Sequence, residues 1–149
     1  MRVLSIDPGT RNMGWCLWDG QLIDFGVVDL QEVCKGTDYP KKIWALRETG
    51  FFERADIILV ERQMQSKMKM LACAIRCFFW EQTIMIAPQS VRRHFKTIMK
   101  KHSSNKKAHV AHARKYLHGT LAIKFEKHKK KDDISDAIMQ VLYYSSSVS

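Results

Sequence analysis

The sequence predicts an α/β layered protein, and three observations carry that reading. The first thirty residues hold three short apolar runs separated by turn residues. Beyond them, apolar runs alternate with stretches whose apolar residues recur every three or four positions. Neither an internal repeat nor a linker rich in Pro, Gly or Ser divides the chain. Such a pattern builds an antiparallel meander followed by helix–strand alternation, packed in layers around a sheet. A chain of 149 residues is long enough to bury one good core, so one domain spanning residues 1–149 is expected.

Val3–Ile6 is a short apolar strand that ends at Asp7 and a Pro8-Gly9 turn. Met13–Trp18 and Leu22–Val28 are two strands joined by Asp19-Gly20, a strong hairpin dipeptide. Residues 34–40 make a loop, and Lys41–Phe52 sets Ile43, Trp44, Leu46 and Phe51 on one helical face. Ala55–Val60 is a fourth strand, ending at Glu61. A long helix is expected over Gln65–Glu81, with Met68, Leu71, Ala72, Ile75, Phe78 and Phe79 at helical spacing; it packs on the sheet or pairs with a second subunit. Thr83–Ala87 is the fifth strand, and Pro88 opens a helix through Phe95. Residues 96–107 carry Lys96, Lys100, Lys101, Lys106 and Lys107 around Ser103-Ser104-Asn105 and read as a loop. Ala108–Leu117 is a helix, residues 124–131 (KFEKHKKK) form a basic loop, and Asp132–Tyr144 is the last helix, with a frayed SSSVS tail.

Charge narrows the function. Against 15 Asp and Glu stand 25 Lys and Arg, a formal +10, which points to an anionic partner and to nucleic acid above all. Cys16, Cys34, Cys73 and Cys77 form no CxxC pair and read as reduced thiols, with Cys73 and Cys77 able to face a core from one helix. Charge and turn residues interrupt the N-terminus by Asp7, which argues against a secretory signal, and no apolar run approaches a membrane span. A soluble intracellular protein with no membrane partner is expected.

Within this basic chain three acidic sites sit at the ends of apolar elements. Asp7 follows the first strand, Glu61 follows the fourth, and Asp132, Asp133 and Asp136 open the last helix. Turn chemistry accounts for Asp7 taken alone, and the helix macrodipole for acids at a helix start. Glu61 serves no turn and borders a core. Carboxylates gathered together repel, so one must protonate or the group must hold a cation. Hard oxygen ligands suit Mg²⁺ or Mn²⁺. Two such ions ~3.5–4 Å apart clamp a phosphodiester during in-line attack by water. A basic surface then supplies the attraction for DNA that an acidic pocket lacks.

Asp7 in IDPGTRNMGW, Glu61 in IILVERQ and Asp133-x-x-Asp136-Ala in KKDDISDAI resemble the four-acid pattern of RuvC-type Holliday junction resolvases, members of the ribonuclease H-like (retroviral-integrase) superfamily. IAPQSVRRHF followed by SSNKKAHVAHARKYL is similar to a further stretch of that family, so the resemblance spans essentially the whole chain. The compact length and the KKDD run are similar to resolvases of poxviruses and other large DNA viruses, and to fungal mitochondrial ones. The resemblance implies a ribonuclease H-like fold with a five-stranded mixed sheet, three antiparallel strands and then alternating helix and strand, flanked by helices. It implies a structure-selective endonuclease that binds branched DNA, especially four-way junctions, as a homodimer. Paired symmetric nicks would leave 5′-phosphate and 3′-hydroxyl ends, with two Mg²⁺ ions (or Mn²⁺) per active site. A viral member would work at the site of viral DNA replication in the host cell.

By this resemblance Asp7, Glu61, Asp133 and Asp136 are the metal ligands and catalytic acids. Asp132 and Asp136 are i, i+4, Asp133 and Asp136 are i, i+3, and both pairs can share a helix face. The family spacing favours Asp133 and leaves Asp132 as a helix N-cap, a supporting group or an alternative ligand. The family also uses basic residues near the scissile phosphate. By position these resemble Arg92 and Lys107, with Lys107 as the catalytic cation and Arg93, Lys106, Lys129, Lys130 and Lys131 as DNA-binding neighbours. Symmetric cutting needs two active sites at a fixed spacing, which a twofold dimer provides, and the Met68–Trp80 helix is the candidate interface.

The remaining features carry less. His94, His102, His109, His112, His118 and His128 lack the Cys/His spacing of a zinc site and read as phosphate contacts or surface groups. Trp15, Trp18, Trp44 and Trp80 read as core residues, and Phe78 or Phe79 is a candidate wedge for a junction centre. Two competing readings stand beside the resolvase. One is a catalytically silent nucleic-acid-binding module of the same fold. The other is a nuclease acting on RNA or RNA–DNA hybrids.

Overall fold

The structure, a computed structural model, describes residues 1–96 and 102–148. Strands β1 (Val3–Asp7), β2 (Asn12–Trp18), β3 (Leu22–Asp29), β4 (Ile57–Glu61) and β5 (Thr83–Ile86) form one sheet in the order β3-β2-β1-β4-β5. β2 pairs antiparallel with β1 and β3, whereas β4 pairs parallel with β1 and β5, so the sheet is mixed as expected. The β2–β3 hairpin turns at Gly20, whose φ of +72° lies in the left-handed region that a side chain resists.

The helices are α1 (Leu30–Val33), α2 (Tyr39–Glu48), α3 (Ser66–Phe78), α4 (Pro88–His94), α5 (His102–Arg114), α6 (Gly119–Lys127) and α7 (Lys131–Val148). Strand alternation sends successive side chains to opposite faces of the sheet and divides the core in two. Leu4, Ile6, Ile58 and Val60 pack with Ile43 and Leu46 of α2 and Leu71 and Ile75 of α3. Val3 and Leu59 face the other way, against Ile134, Ile138 and Val141 of α7, with Val91, Ala113 and Phe125 from α4, α5 and α6. Because β1 and β4 are parallel and in register, their last residues, Asp7 and Glu61, end side by side on the α7 face.

Several elements differ from the sequence expectation. Ser103-Ser104-Asn105 belongs to α5, which begins at His102, rather than to a loop. Lys100 and Lys101 lie outside the described residues. Of the expected basic loop at 124–131, residues 124–127 are the end of α6, 128–130 connect it to α7, and Lys131 opens α7. Phe125 is buried edge-on against Phe25, and Lys124 reaches the carboxylate of Asp24 and the carbonyl of Phe25, both at 2.6 Å. The tail is not frayed: α7 runs to Val148, and the hydroxyls of Ser146 and Ser147 donate back to the Tyr143 carbonyl. The helix expected over Lys41–Phe52 ends at Glu48, and a separate 3-10 turn covers Phe52–Arg54. The short helix α1 had no periodicity long enough to announce it. Asp29 caps it, and the fully buried Lys42 donates to the carbonyls of Leu30 and Cys34 at its far end.

α3 presents Leu71, Ala72, Ala74 and Ile75 to the core and turns Met70, Cys73 and Cys77 outward. The two cysteines therefore do not face a core. Trp44 and Trp80 are 47% and 65% exposed rather than buried: Trp44 lies on the outer face of α2, and Trp80 lies in the turn beyond the end of α3. Trp44 stacks edge-on against Phe78, and Arg47 and Arg76 lie over the rings of Trp44 and Trp80. Among the described residues, no helix is long and apolar enough to cross a membrane.

Candidate active site

Three elements assemble the acids. β1 and β4 deliver Asp7 and Glu61 at their C-terminal ends, where α/β sheets commonly place ligand crevices. α7 lies across the same face with Asp132 and Asp133 in its first turn and Asp136 in the next, where the helix dipole favours negative charge. Two devices bring α7 down onto the strands. Gly14 of β2 sits opposite Asp7, and a Cβ at Gly14 would stand 2.6 Å from the Asp133 carbonyl carbon and 3.0 Å from the Asp133 Cβ. Only a missing side chain permits that approach. Deeper in, the Ser5 hydroxyl donates to the Ala137 carbonyl at 2.7 Å. The Gln140 Nε2 donates to Ser5 Oγ at 2.9 Å and to the Ile6 carbonyl at 3.2 Å. This buried polar clamp fixes the depth of α7 over β1, and neither Ser5 nor Gln140 was singled out from the sequence.

The acids feel one another. Burial first, then the charges of Glu61, Asp136, Asp133 and Asp132, pushes the Asp7 carboxyl well above its ordinary range. Burial and then Asp136 raise Glu61 to about 7, against the opposing pull of Arg92 and a 3.4 Å hydrogen bond from Gln63. Burial, with Asp132 and Asp136, raises Asp133 to about 6. Asp132 behaves differently. Burial works against its charge, but the hydrogen bond from Lys106 prevails and holds it below the ordinary carboxylate range. Its partner Lys106 lies 3.0 Å away and is raised in turn, chiefly by that bond. Asp132 is inside the first turn and is not the N-cap, because α7 begins at Lys131.

His109 is the largest departure from expectation at this site. It is 6% exposed, and its Nδ1 lies 2.6 Å from Asp136 Oδ1, so it is neither a surface group nor free for a phosphate. Asn105, His109 and Ala113 form the buried stripe of α5. Once residues 102–107 are taken as helical, that spacing is readable in the sequence.

The expected basic residues separate into two places. Arg92 lines a small cavity of about 20 Å³ together with Glu61, Val91, His109, Asp136 and Gln140. Lys106, Lys107, Lys129 and Lys131, joined by Arg114 and Asp132, line an open cavity of about 470 Å³ beside the acids. Lys106, rather than Lys107, is the lysine bonded to the acidic group. Lys107, Lys129, Lys130 and Arg93 are exposed. Lys131 reaches back to the His128 carbonyl at 2.8 Å. Among the described residues, no group of three or more His, Cys, Asp or Glu side chains stands in a geometry that could hold a metal ion.

The sheet order and the two helical layers are those of the ribonuclease H-like fold of RuvC-type resolvases. The chain belongs to the Poxvirus A22 protein family, whose model matches residues 1–146. Among solved structures it is similar to the fowlpox virus resolvase in complex with substrate Holliday junction DNA, at 18% identity over 99% of both chains and a TM-score of 0.76. The yeast mitochondrial Holliday junction resolvase is 19% identical over 95% of this chain and 78% of its own, with a TM-score of 0.68. The T. thermophilus RuvC in complex with a Holliday junction substrate is 17% identical over 99% of this chain and 95% of its own, with a TM-score of 0.63. No curated protein sequence matches the chain significantly.

Proposed function

We propose that this chain is a structure-selective DNA endonuclease that resolves four-way junctions by divalent-metal-dependent hydrolysis. The observation that carries the reading is the gathering of Asp7, Glu61, Asp133 and Asp136 at one end of the sheet beside a cluster of lysines and arginines. The similarity in fold to resolvases solved with junction DNA supports it.

The donor set fits a hard divalent cation. Three of its four carboxyls are driven toward the protonated form by burial and by one another, a shift that a nearby cation would oppose. All four offer oxygen, as Mg²⁺ and Mn²⁺ prefer. Asp7, Glu61, Asp133 and Asp136 would hold two such ions. When bound, these ions activate water as a nucleophile and stabilise the leaving 3′ oxygen.

The chain's own residues do the rest. Asp132 holds Lys106 at the edge of the acids, where its ammonium faces charge developing on the scissile phosphate, a role the sequence assigned to Lys107. Lys107, Arg114, Lys129 and Lys131 take the neighbouring backbone phosphates in the open cavity. His109 and Arg92 steady Asp136 and Glu61. The outward face of α3, with Met70 and Phe78, and Trp80 just beyond its end, packs on a second copy of the chain and sets two active sites at a fixed spacing.

The test compares a four-way junction, a linear duplex and an RNA–DNA hybrid, each with Mg²⁺ or Mn²⁺. Paired, symmetric nicks confined to the junction and sealable by ligase are expected. Equal cutting of the linear duplex, or cutting of the hybrid alone, would overturn the reading.

A further inference from the structure

We propose that Gln140 holds one buried water behind the acids, and that through this water it positions Glu61 and Asp136. Gln140 is 2% exposed and lies one helical turn beyond Asp136 on α7. The orientation of its amide is dictated by its neighbours. The Ile6 carbonyl can only accept, so it must face the Nε2. The Ser5 hydroxyl gives its hydrogen to the Ala137 carbonyl and therefore also accepts from Nε2. Flipping the amide would set an oxygen against two acceptors. The Oε1 is thus turned away from β1, and it is buried with no hydrogen-bond partner among the described residues.

A buried amide oxygen left without a donor is costly, so such atoms are rare unless something meets them. Gln140 also lines the cavity of about 20 Å³ that it shares with Glu61, Arg92, His109 and Asp136. One water needs about 10–15 Å³ of such space and two to four polar partners. Glu61, Arg92, His109 and Asp136 all line this cavity, yet none of them makes a hydrogen bond to Oε1. A water satisfies it. One of its hydrogens goes to Oε1 and the other to a carboxylate oxygen of Glu61 or Asp136, which ties the ligand-bearing ends of β4 and α7 to the polar clamp below. Gln140 is a positioning residue in this arrangement and touches no substrate. Groups at this remove from metal ligands typically govern metal affinity or activity by 10–100-fold. That consequence rests on the metal-dependent reading above; the water itself does not.

The experiment combines a high-resolution crystal structure of the full chain with calorimetric Mn²⁺ titration of three proteins. These are the native chain, Gln140→Met, which keeps the volume and removes the acceptor, and Ser5→Ala, which weakens the clamp and leaves Oε1 in place. A water about 2.7–3.2 Å from Oε1 is expected in the native and Ser5→Ala crystals and not in Gln140→Met. Mn²⁺ affinity is expected to fall about tenfold or more in Gln140→Met and less than about threefold in Ser5→Ala, with the KM for junction unchanged in both. Native crystals with no density at Oε1, or with the Arg92 guanidinium bonded there directly, overturn the proposal. Equal loss of Mn²⁺ affinity in the two variants overturns the positioning role and leaves a clamp alone. If the native chain neither binds Mn²⁺ nor cuts a junction, the functional reading fails, while the crystal still decides the water.

Discussion

Gly14 and Asp133 are pressed together so closely that a Cβ on Gly14 would stand 2.6 Å from the Asp133 carbonyl carbon. Since Gly14 pairs with Asp7 across the sheet, one glycine decides how near the first turn of α7 comes to the end of β1. Asp7 and Asp133 share a site because β2 has no side chain at that point. Gly14→Ala must therefore push backbone rather than a flexible tip. A cost of about 1–3 kcal/mol in urea denaturation is expected, together with a lower Mn²⁺ affinity. Unchanged stability and metal binding would show that α7 is not set by this contact.

Protons and metal should compete for the acids. Burial and Asp136 raise Glu61 from 4.5 to about 7, and burial with Asp132 and Asp136 raises Asp133 from 3.8 to about 6; Asp7 moves in the same direction. Carboxyls with raised folded values bind protons more tightly folded than unfolded. Their contribution to stability is complete below about pH 4 and is lost as pH rises through about 6 and then about 7. The metal-free chain is expected to lose denaturant midpoint between pH 5 and pH 8, and saturating Mn²⁺ is expected to restore it at pH 8. A midpoint insensitive to both pH and Mn²⁺ would contradict the shared acidic site.

His109 is expected to act through Asp136, to which its Nδ1 is bonded at 2.6 Å. His109→Ala should lower single-turnover cleavage by about 10–100-fold while junction binding stays within about threefold of native. An unchanged cleavage rate would reduce the pair to packing.

The outward side of α3 should be covered in solution. Phe78 and Trp80 are 37% and 65% exposed beside Met70 and Trp44, an apolar cluster that a lone chain in water would rarely display. Sedimentation of the double variant Phe78→Asp, Trp80→Asp is expected to give a folded monomer where the native chain gives a dimer. A variant that still sediments as a dimer would move the interface elsewhere.

The strand-borne half of the site is legible in the sequence, because alternation alone puts Ser5, Asp7, Leu59 and Glu61 on one face once β1 and β4 lie parallel. The α7 acids are legible from their spacing, but the choice between Asp132 and Asp133 is not. It depends on Gly14 and Lys106, which approach from β2 and α5. The Ser-Ser-Asn run at 103–105 imitates a loop, and with it the inward stripe containing His109 disappears from view. α6 was hidden likewise, since its second half, with the buried Phe125, lies in the run KFEKHKKK that suggests a basic loop. Periodicity shows that the α2 and α3 segments are amphipathic, yet it does not tell which aromatic residues the fold covers. Trp44 and Trp80 looked buried for that reason. Gln140 is a buried polar residue one turn beyond Asp136, and its meaning lies in its contacts with Ser5 and Ile6, 134 or more positions away.

The central claim is that Asp7, Glu61, Asp133 and Asp136 form one metal site. Anomalous diffraction at the manganese edge, from crystals of the full chain grown with Mn²⁺ and a four-way junction, tests it most directly. Two peaks ~3.5–4 Å apart, bounded by those four carboxylates and adjoining a junction phosphate, are predicted. Peaks held by other side chains, or no peak between β1, β4 and α7 at saturating Mn²⁺, would contradict the account.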